Sequence, residues 1–278
     1  MRKIKIVTDS SANVLALQHT PFAAAPLKVI ANEKEFVDDS ALDVDAMVSW
    51  FDSYKGKSKT SCPNPADWLE AFGDAEDVFC VTITSGLSGS YNAACIAKQM
   101  YELENKGRRV CVIDSLSAGP ELVLIIEKLE KYILQGLPYE DICREIRAYQ
   151  QKTGLVFMLE SLKNFAANGR VSPAVAKIAG VLGIRIVGKA SEQGTLEPTN
   201  KCRGEAKSLN AILAQLKAFG LSKGKVRIAH CMNEKAAQEL KGMIQSAMEQ
   251  VDVRIHKCRG LCSYYAEKGG LLVGFEKM

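Results

Sequence analysis

The stretch Val78-Phe-Cys-Val-Thr-Ile-Thr-Ser-Gly-Leu-Ser-Gly-Ser-Tyr91 decides the fold of the first half of this chain. It begins with an apolar run that favours a β-strand, Val78–Thr84, and continues into a segment rich in small residues, Ser85–Ser90. A helix-forming run, Asn92–Met100, follows. The pattern therefore predicts a strand, a hydroxyl-rich turn and the start of a helix.

This turn has the chemistry of an anion-binding site. A helix N-terminus presents unpaired backbone N–H groups and partial positive charge, and both favour a bound anion. The turn lacks the lysine of a P-loop and the glycine spacing of a dinucleotide-binding loop, which favours a small, weakly charged anion such as a carboxylate. Serines near a helix start are also common as simple caps, and the turn by itself leaves both interpretations open.

Predicted strands and helices alternate through the first half, which indicates an α/β fold with a mostly parallel sheet covered on both faces. Ligands of such sheets bind beyond the carboxyl ends of the strands. Three of these ends carry hydroxyl side chains, namely Thr8–Ser11, Thr84–Ser90 and Asp114–Ser117. The predicted strands are Lys3–Thr8, Val78–Thr84 and Val110–Asp114, and the predicted helices are Asp43–Tyr54, one that opens at Asn64-Pro65, Ser90–Glu104 and Pro120–Gln135.

The second half has a different pattern, which fits an α+β domain with a partly antiparallel sheet. A tight turn at Glu192-Gln-Gly194 joins two short strands. We place the domain boundary near Gln150–Gly154, which gives residues 1–152 and 153–278. The predicted strands are Leu155–Leu159, Ile184–Val187, Val226–His230, Val251–Ile255 and Leu271–Phe275, and the predicted helices are Ser172–Leu182, Gly204–Phe219 and Glu234–Gln250.

Composition excludes several classes of protein. The net charge of +4 is spread along the chain without a basic tract, which disfavours a nucleic-acid partner. The nine cysteines form no Cys-x-x-Cys pair, so we predict no metal site and no disulfide framework, but reduced thiols in a cytoplasmic protein. The longest apolar run, Leu122–Ile126, is far too short to cross a membrane.

Four motifs and one further residue, in order along the chain, resemble those of the DegV family. The motifs are Ile6-Val-Thr-Asp-Ser-Ser11, Thr60-Ser-Cys-Pro63, the turn Ser85-Gly-Leu-Ser-Gly-Ser-Tyr91 and Asn168-Gly-Arg-Val-Ser172. In the third motif, Ser90 replaces the family's usual threonine. The further residue is Arg203, which falls where the family carries an arginine after the following hairpin.

This resemblance implies a carrier without enzymatic activity or cofactor. It would bind one long-chain fatty acid between the two domains, and it could present the lipid to a fatty acid kinase. By resemblance, the hydroxyls of Thr60 and Ser88 and the N–H groups around Gly89 would hold the carboxylate, with Arg203 as a neighbour. Ser61, Ser85 and Tyr265 are further candidates for this site.

The C-terminal segment departs from the family pattern. Family members with a kinase role tend to carry a His-Thr-Gly-Pro-Gly segment there, whereas this chain has Tyr264-Tyr-Ala-Glu-Lys-Gly-Gly270 with Tyr265 at the histidine position. A phenol can donate a hydrogen bond, but it cannot carry the positive charge of an imidazolium. The departure therefore bears on the kinase partnership more than on lipid binding.

Two other functions remain as alternatives. Gly86-Leu-Ser-Gly-Ser90 is close to the Gly-x-Ser-x-Gly element of serine hydrolases, and such an enzyme would need His230 or His256 within reach of Ser88. A third class is an interaction module that responds to fatty acids without transferring them. Arg170 also has two interpretations, as a contact of the head group or as a loop residue that binds backbone carbonyls or pairs with a carboxylate.

Overall fold

The computed structural model describes residues 2–32, 34–171, 175 and 183–277. The predicted helix at Ser172–Leu182 lies almost entirely outside these residues. The described strands are β1 (Ile4–Asp9), β2 (Phe22–Ala25), β3 (Lys28–Ala31), β4 (Lys34–Val37), β5 (Ser58–Ser61), β6 (Asp77–Thr82), β7 (Arg109–Asp114), β8 (Thr153–Leu159), β9 (Ile184–Ala190), β10 (Leu196–Arg203), β11 (Lys223–His230), β12 (Gln250–Lys257) and β13 (Leu271–Glu276).

The helices that were predicted within the described residues begin and end close to the predicted bounds, and several begin at recognisable caps. Asp43 accepts a hydrogen bond from the N–H of Ala46, and Asn64 with Asp67 forms a capping box ahead of Pro65. The helices are α1 (Val44–Ser53), α2 (Pro65–Phe72), α3 (Ser90–Glu104), α4 (Pro120–Leu134), α5 (Tyr139–Gln150), α6 (Lys163–Ala167), α7 (Glu205–Ala218), α8 (Glu234–Ala247) and α9 (Gly260–Ala266).

The first sheet has the order β2-β1-β6-β7, and all its strand pairs are parallel. Its central strand β6 is buried throughout, because α2 and α3 cover one face and α4 covers the other. This arrangement confirms the predicted α/β fold with a parallel sheet. The carboxyl ends of β1, β6 and β7 meet at one edge, where the turn after β6 begins.

The second sheet has the order β10-β9-β8-β13-β11-β12, and only β11 and β12 pair in parallel among its described neighbours. This confirms the predicted partly antiparallel sheet. Strand β8 is buried on both faces. Its residues Val156 and Met158 pack among α7 and α8, whereas Leu155, Phe157 and Leu159 face the opposite side, toward the N-terminal half.

A third sheet, of order β4-β3-β5, was not predicted. Each of its strands has four residues, which is too short for an alternating pattern to be distinctive. This small sheet and α1 pack against α9, which also was not predicted. The division into residues 1–152 and 153–278 stays a prediction, since the third sheet belongs to one half by sequence and contacts the other.

Helix α5 was also missed, although its sequence carries a signal. Ile142, Ile146 and Tyr149 are buried and recur at the spacing of one helix face. Among the described residues, no helix has both the length and the apolar character needed to cross a membrane.

Candidate functional site

A cavity of about 310 Å³ lies between the carboxyl edge of the first sheet, the small third sheet, α9 and the inner face of the second sheet. Most of its described lining is apolar. Its polar groups lie on β5 and the residue after it, on the turn after β6, on α9, and in three further loops that carry Ser117, Arg170 and Thr195. The apolar lining includes Leu27, Ile83, Leu87, Leu155, Phe157, Leu159, Phe165, Leu196, Leu261 and Leu272, and the polar lining includes Thr60, Ser61, Cys62, Thr84, Ser88, Ser117, Arg170, Thr195 and Tyr265.

The turn after β6 supplies one polar wall of this cavity. Helix α3 begins at Ser90, and Gly89 is its N-cap without a side chain to fill the capping position. The Ser88 hydroxyl accepts a hydrogen bond from the Ser90 N–H at 3.2 Å. The structure thus places a hydroxyl and the N-terminus of a fifteen-residue helix at the cavity wall, as expected for an anion site.

The opposite polar wall consists of β5 and α9. The hydroxyls of Thr60 and Tyr265 are hydrogen-bonded at 2.8 Å, and the next pair along the two elements, Ser58 and Tyr264, is hydrogen-bonded at 2.7 Å. Burial raises the pKa of Tyr265, against the opposing effects of the Thr60 hydrogen bond and of the positive charge of Arg170. Tyr265 is therefore a neutral hydroxyl group at physiological pH.

Arg170 is the only charged side chain among the described lining residues. Its Nε donates to the carbonyl of Leu87 at 3.1 Å, and its Nη1 donates to the carbonyl of Asn168. Arg170 therefore binds backbone carbonyls, as its interpretation as a loop residue predicts. The same contacts also hold its positive charge beside the turn that carries Ser88.

The structure brings together most of the predicted site residues. Thr60, Ser61, Ser88, Gly89 and Tyr265 all line the cavity. Ser61 is exposed, and its hydroxyl donates to the Cys62 carbonyl at 3.3 Å. These five residues come from three segments that are far apart in the sequence.

The structure does not bring Ser85 or Arg203 to the described lining. Ser85 is exposed, and its N–H donates to the Asp114 carboxylate, so it contributes to the turn. Arg203 is exposed at the far end of β10. The near end, at Leu196, contacts the cavity, and seven residue steps of strand separate the two by about 23 Å.

Cys62 is a lining residue that the sequence analysis did not single out. A Cβ atom added to Gly89 would lie 3.3 Å from the Cys62 Sγ, so this thiol lies directly against the start of α3. Burial raises the pKa of Cys62, which keeps it a thiol. The sequence did carry a signal for Cys62. Ser58, Thr60 and Cys62 are every second residue of an extended segment, and such residues lie on the same face of a strand.

Asp9 positions the turn from behind. Its carboxylate is fully buried and accepts four hydrogen bonds, from the N–H and hydroxyl of Ser11, the N–H of Ile83 and the hydroxyl of Ser90. Burial raises the pKa of Asp9, and these hydrogen bonds oppose the shift. Asp9 therefore caps the segment that follows β1, and it also fixes the end of β6 relative to the start of α3.

The hydrolase alternative requires a histidine next to Ser88, and the structure places none there. All three histidines lie within the described residues, and none lines the cavity. His230 ends β11 and accepts a hydrogen bond from the N–H of Asn233, and His256 lies on β12 at the edge of the second sheet. The geometry of a Ser-His pair is therefore absent from the described site.

A family model described as an uncharacterised protein of the DegV family matches residues 3–277. The chain belongs to the DegV family. A DegV domain-containing protein of Streptococcus pneumoniae is 43% identical over 276 residues, which cover 98% of each chain. The family membership that the sequence motifs indicated is therefore confirmed.

Two solved structures are similar to this DegV chain over nearly its whole length. A DegV family protein of Eubacterium eligens loaded with heptadecanoic acid has a TM-score of 0.97 and 44% identity, over 99% of this chain and 100% of that one. The fatty acid kinase (Fak) B3 protein of Streptococcus pneumoniae, loaded with linoleic acid, has the same TM-score and coverage and 42% identity.

Proposed function

We propose that this DegV chain binds one long-chain fatty acid in the described cavity, with its carboxylate at the polar end. The observation that carries this proposal is a cavity with mostly apolar walls whose hydroxyls, helix N-terminus and arginine lie on adjoining segments. Two relatives of more than 40% identity hold fatty acids in their solved structures, which supports the same ligand class.

The energetics of an alkyl chain suit this cavity. Burying a methylene group gains about 0.8 kcal/mol, so a chain of about fifteen methylenes gains about 12 kcal/mol before the costs of association and ordering. The tail therefore supplies most of the affinity. The polar end needs only to orient the carboxylate, for which hydrogen-bond donors and one positive charge suffice.

We assign the carboxylate to the hydroxyls of Thr60 and Ser88 and the N–H groups around Gly89. Arg170 would supply the positive charge in place of Arg203, because its guanidinium is held beside Leu87 at the cavity wall. Tyr265 completes the site as a neutral donor. Its bond to Thr60 would align both hydroxyls before the ligand enters.

The chain would act as a carrier that performs no chemistry itself and presents its lipid to a fatty acid kinase. The Streptococcus pneumoniae relative named for such a kinase supports this partnership. All nine cysteines are unpaired, which supports a reducing compartment and hence the cytoplasm. Mixing the protein with fatty acid, ATP and a cognate kinase is expected to yield an acyl phosphate. Absence of this product would contradict the partnership with the kinase but not the binding of fatty acid.

Native mass spectrometry of the purified protein tests lipid binding directly. We expect one fatty acid per chain, and we expect Thr60→Ala and Ser88→Ala each to weaken the binding of added fatty acid without unfolding the protein. Absence of lipid as purified, together with no uptake of added fatty acid, would refute the proposal. Full affinity in the double variant would show that the carboxylate binds elsewhere.

Replacing Tyr265 with phenylalanine is expected to weaken fatty acid binding about twofold to tenfold. The change removes one hydroxyl from the polar end, and a hydrogen bond contributes about 0.5–1.5 kcal/mol. Tyr264→Phe is the matched control, because the Tyr264 hydroxyl bonds to Ser58 and Asn168 and is absent from the cavity lining. Equal affinities of the two variants in a fluorescent fatty acid displacement assay would contradict this role of Tyr265.

Replacing Gly194 with alanine is expected to weaken fatty acid binding as well as stability. Gly194 has φ +70° at the tip of the β9–β10 hairpin, and an added Cβ would collide with the Thr84 Oγ1 that accepts the Gly86 N–H. Gly136→Ala is the control, because Gly136 has φ +73° with open space around it. Both variants should lose about 1 kcal/mol from backbone strain, whereas only Gly194→Ala should lose affinity.

A further inference from the structure

A second cavity, of about 520 Å³, lies where α4 and α5 of the N-terminal half meet the ends of β11, β12 and β13. It is separate from the fatty acid cavity. Strand β13 contributes Leu272 to the fatty acid cavity and Glu276 to this one, and four residue steps of strand correspond to about 13 Å.

Four lysines line this second cavity, which we call the lysine cavity: Lys128, Lys152, Lys223 and Lys277. The Lys277 ammonium group also lies 6.0 Å from the ring centroid of Phe219, outside the lining. Within the described part of the chain, none of the four forms an ion pair, whereas lysines such as Lys189 and Lys257 elsewhere on the surface do. The lysine cavity thus collects positive charge that the protein does not neutralise itself.

The two acidic lining residues, Glu145 and Glu276, offset only part of the positive charge, because four lysines line the cavity. Glu276 accepts hydrogen bonds from the Tyr149 hydroxyl at 2.7 Å and from the Lys225 N–H at 2.8 Å. Glu145 pairs with Arg144 at 3.3 Å. Within the described residues, neither carboxylate forms an ion pair with any of the four lysines, so a net positive charge remains for a ligand.

The ammonium group of Lys128 lies between two aromatic rings at the wall of the lysine cavity. It lies 4.9 Å from the ring centroid of Tyr149 and 5.0 Å from that of Tyr132, so two rings hold it at the cavity wall. Burial lowers the pKa of Lys128, and the charges of Lys131, Lys225 and Lys152 lower it further, whereas the carboxylate of Glu276 opposes the shift. Like charges held together in a concave site focus a positive potential, which a bound anion would relieve.

We propose that the lysine cavity binds a phosphate group of a small anionic ligand. Lysine ammonium groups are common phosphate ligands in proteins, and the cavity volume is within the range of small-molecule sites. A multiply charged phosphate compensates several lysines at once, which a single carboxylate would not do. The phosphate group belongs either to a free compound or to the headgroup of an acidic phospholipid.

Calorimetric titration of lipid-loaded protein with inorganic pyrophosphate tests this proposal. We expect saturable binding of one pyrophosphate that weakens as salt is added, and at least tenfold weaker binding in Lys152→Gln/Lys223→Gln. Both lysines are exposed, so this variant should fold and retain its fatty acid. Lys207→Gln/Lys217→Gln on α7 removes the same charge from exposed positions outside the cavity and should bind pyrophosphate within twofold of the unaltered protein.

Vesicle flotation distinguishes the two sources of the phosphate. Binding to vesicles of phosphatidic acid and phosphatidylcholine that pyrophosphate displaces would support a lipid headgroup as the source. Pyrophosphate binding without vesicle binding would support a free phosphate compound. The proposal is overturned if millimolar pyrophosphate does not bind, or if both double variants lose the same affinity.

Discussion

Replacing Glu127 with alanine is expected to lower the free energy of unfolding by about 3 kcal/mol or more. The reason is Arg227 on β11, whose side chain is 0% exposed and whose Nε and Nη2 bind the Glu127 carboxylate on α4 at 2.7 and 2.8 Å. Removing the carboxylate leaves a buried guanidinium with only Asp252 as an anionic partner among the described residues. Urea unfolding of lipid-free protein measures this loss without the stabilising effect of a bound ligand.

Glu197→Ala is the control for this variant. Glu197 pairs with Lys189 at 3.3 Å, but its side chain is 49% exposed, so its loss should cost about 1 kcal/mol or less. Removing both partners with Glu127→Leu/Arg227→Met should recover much of the stability, because no fully buried charge then remains unpaired. Lys225 also loses its contact with Glu127, but its side chain is 37% exposed. A loss in Glu127→Ala no larger than that in Glu197→Ala would contradict the importance of this ion pair.

The same ion pair should contribute to acid sensitivity. Burial alone would raise the pKa of Glu127, but Arg227 and Lys225 hold it below its usual value. A carboxyl group with a lowered pKa in the folded state stabilises the protein at neutral pH, and this contribution is lost as the pH falls below about 4. Glu127→Ala should therefore be less sensitive than the unaltered protein to acid over that range.

Replacing Asp9 with asparagine is expected to have the largest effect on the fatty acid site. Two donors face each carboxylate oxygen of Asp9, and an amide can replace only one of the oxygens. Either the two donors of Ser11 or those of Ile83 and Ser90 then face an N–H group. Leaving buried donors unpaired costs about 1–3 kcal/mol each, so we expect two of them to lower the free energy of unfolding by about 2–6 kcal/mol.

Fatty acid affinity should fall along with stability in Asp9→Asn, because Ile83 and Ser90 flank the turn that carries Ser88 and Gly89. Asp43→Asn is the matched control. Asp43 caps α1 through one side-chain oxygen, and asparagine is an equally good cap. We expect the control to retain both stability and affinity. Normal fatty acid binding by folded Asp9→Asn would show that Asp9 does not position the turn.

Local patterns predicted the long elements well. The helix Ser90–Glu104 has the bounds that the sequence indicated, and β6 begins one residue before the predicted strand. Such elements carry their own signals, since an apolar run, a cap or a helical repeat lies within a few residues. The four-residue strands β2–β5 have too few residues to show such a signal, and they were missed.

The site was only partly predictable for a related reason. Thr60 and Ser88 could be named because each lies in a motif, and the structure brings both to one cavity. Arg170 and Arg203 could not be separated in that way, because the resemblance supports both. Arg170 is placed by its hydrogen bonds to the carbonyls of Leu87 and Asn168. Arg203 is placed by the direction of the β9–β10 hairpin, whose tip contacts Thr84 and whose far end carries Arg203.

The strand, the turn and the helix of residues 78–104 follow from local sequence, because an apolar run, a segment of small residues and a helix-forming run succeed one another there. The motifs of the DegV family are also legible in the sequence. Which side chains share the cavity depends on the tertiary structure, since β5, the turn after β6 and α9 meet through long-range pairing and packing. The Thr60–Tyr265 hydrogen bond joins residues 205 positions apart, and no local pattern encodes such a contact.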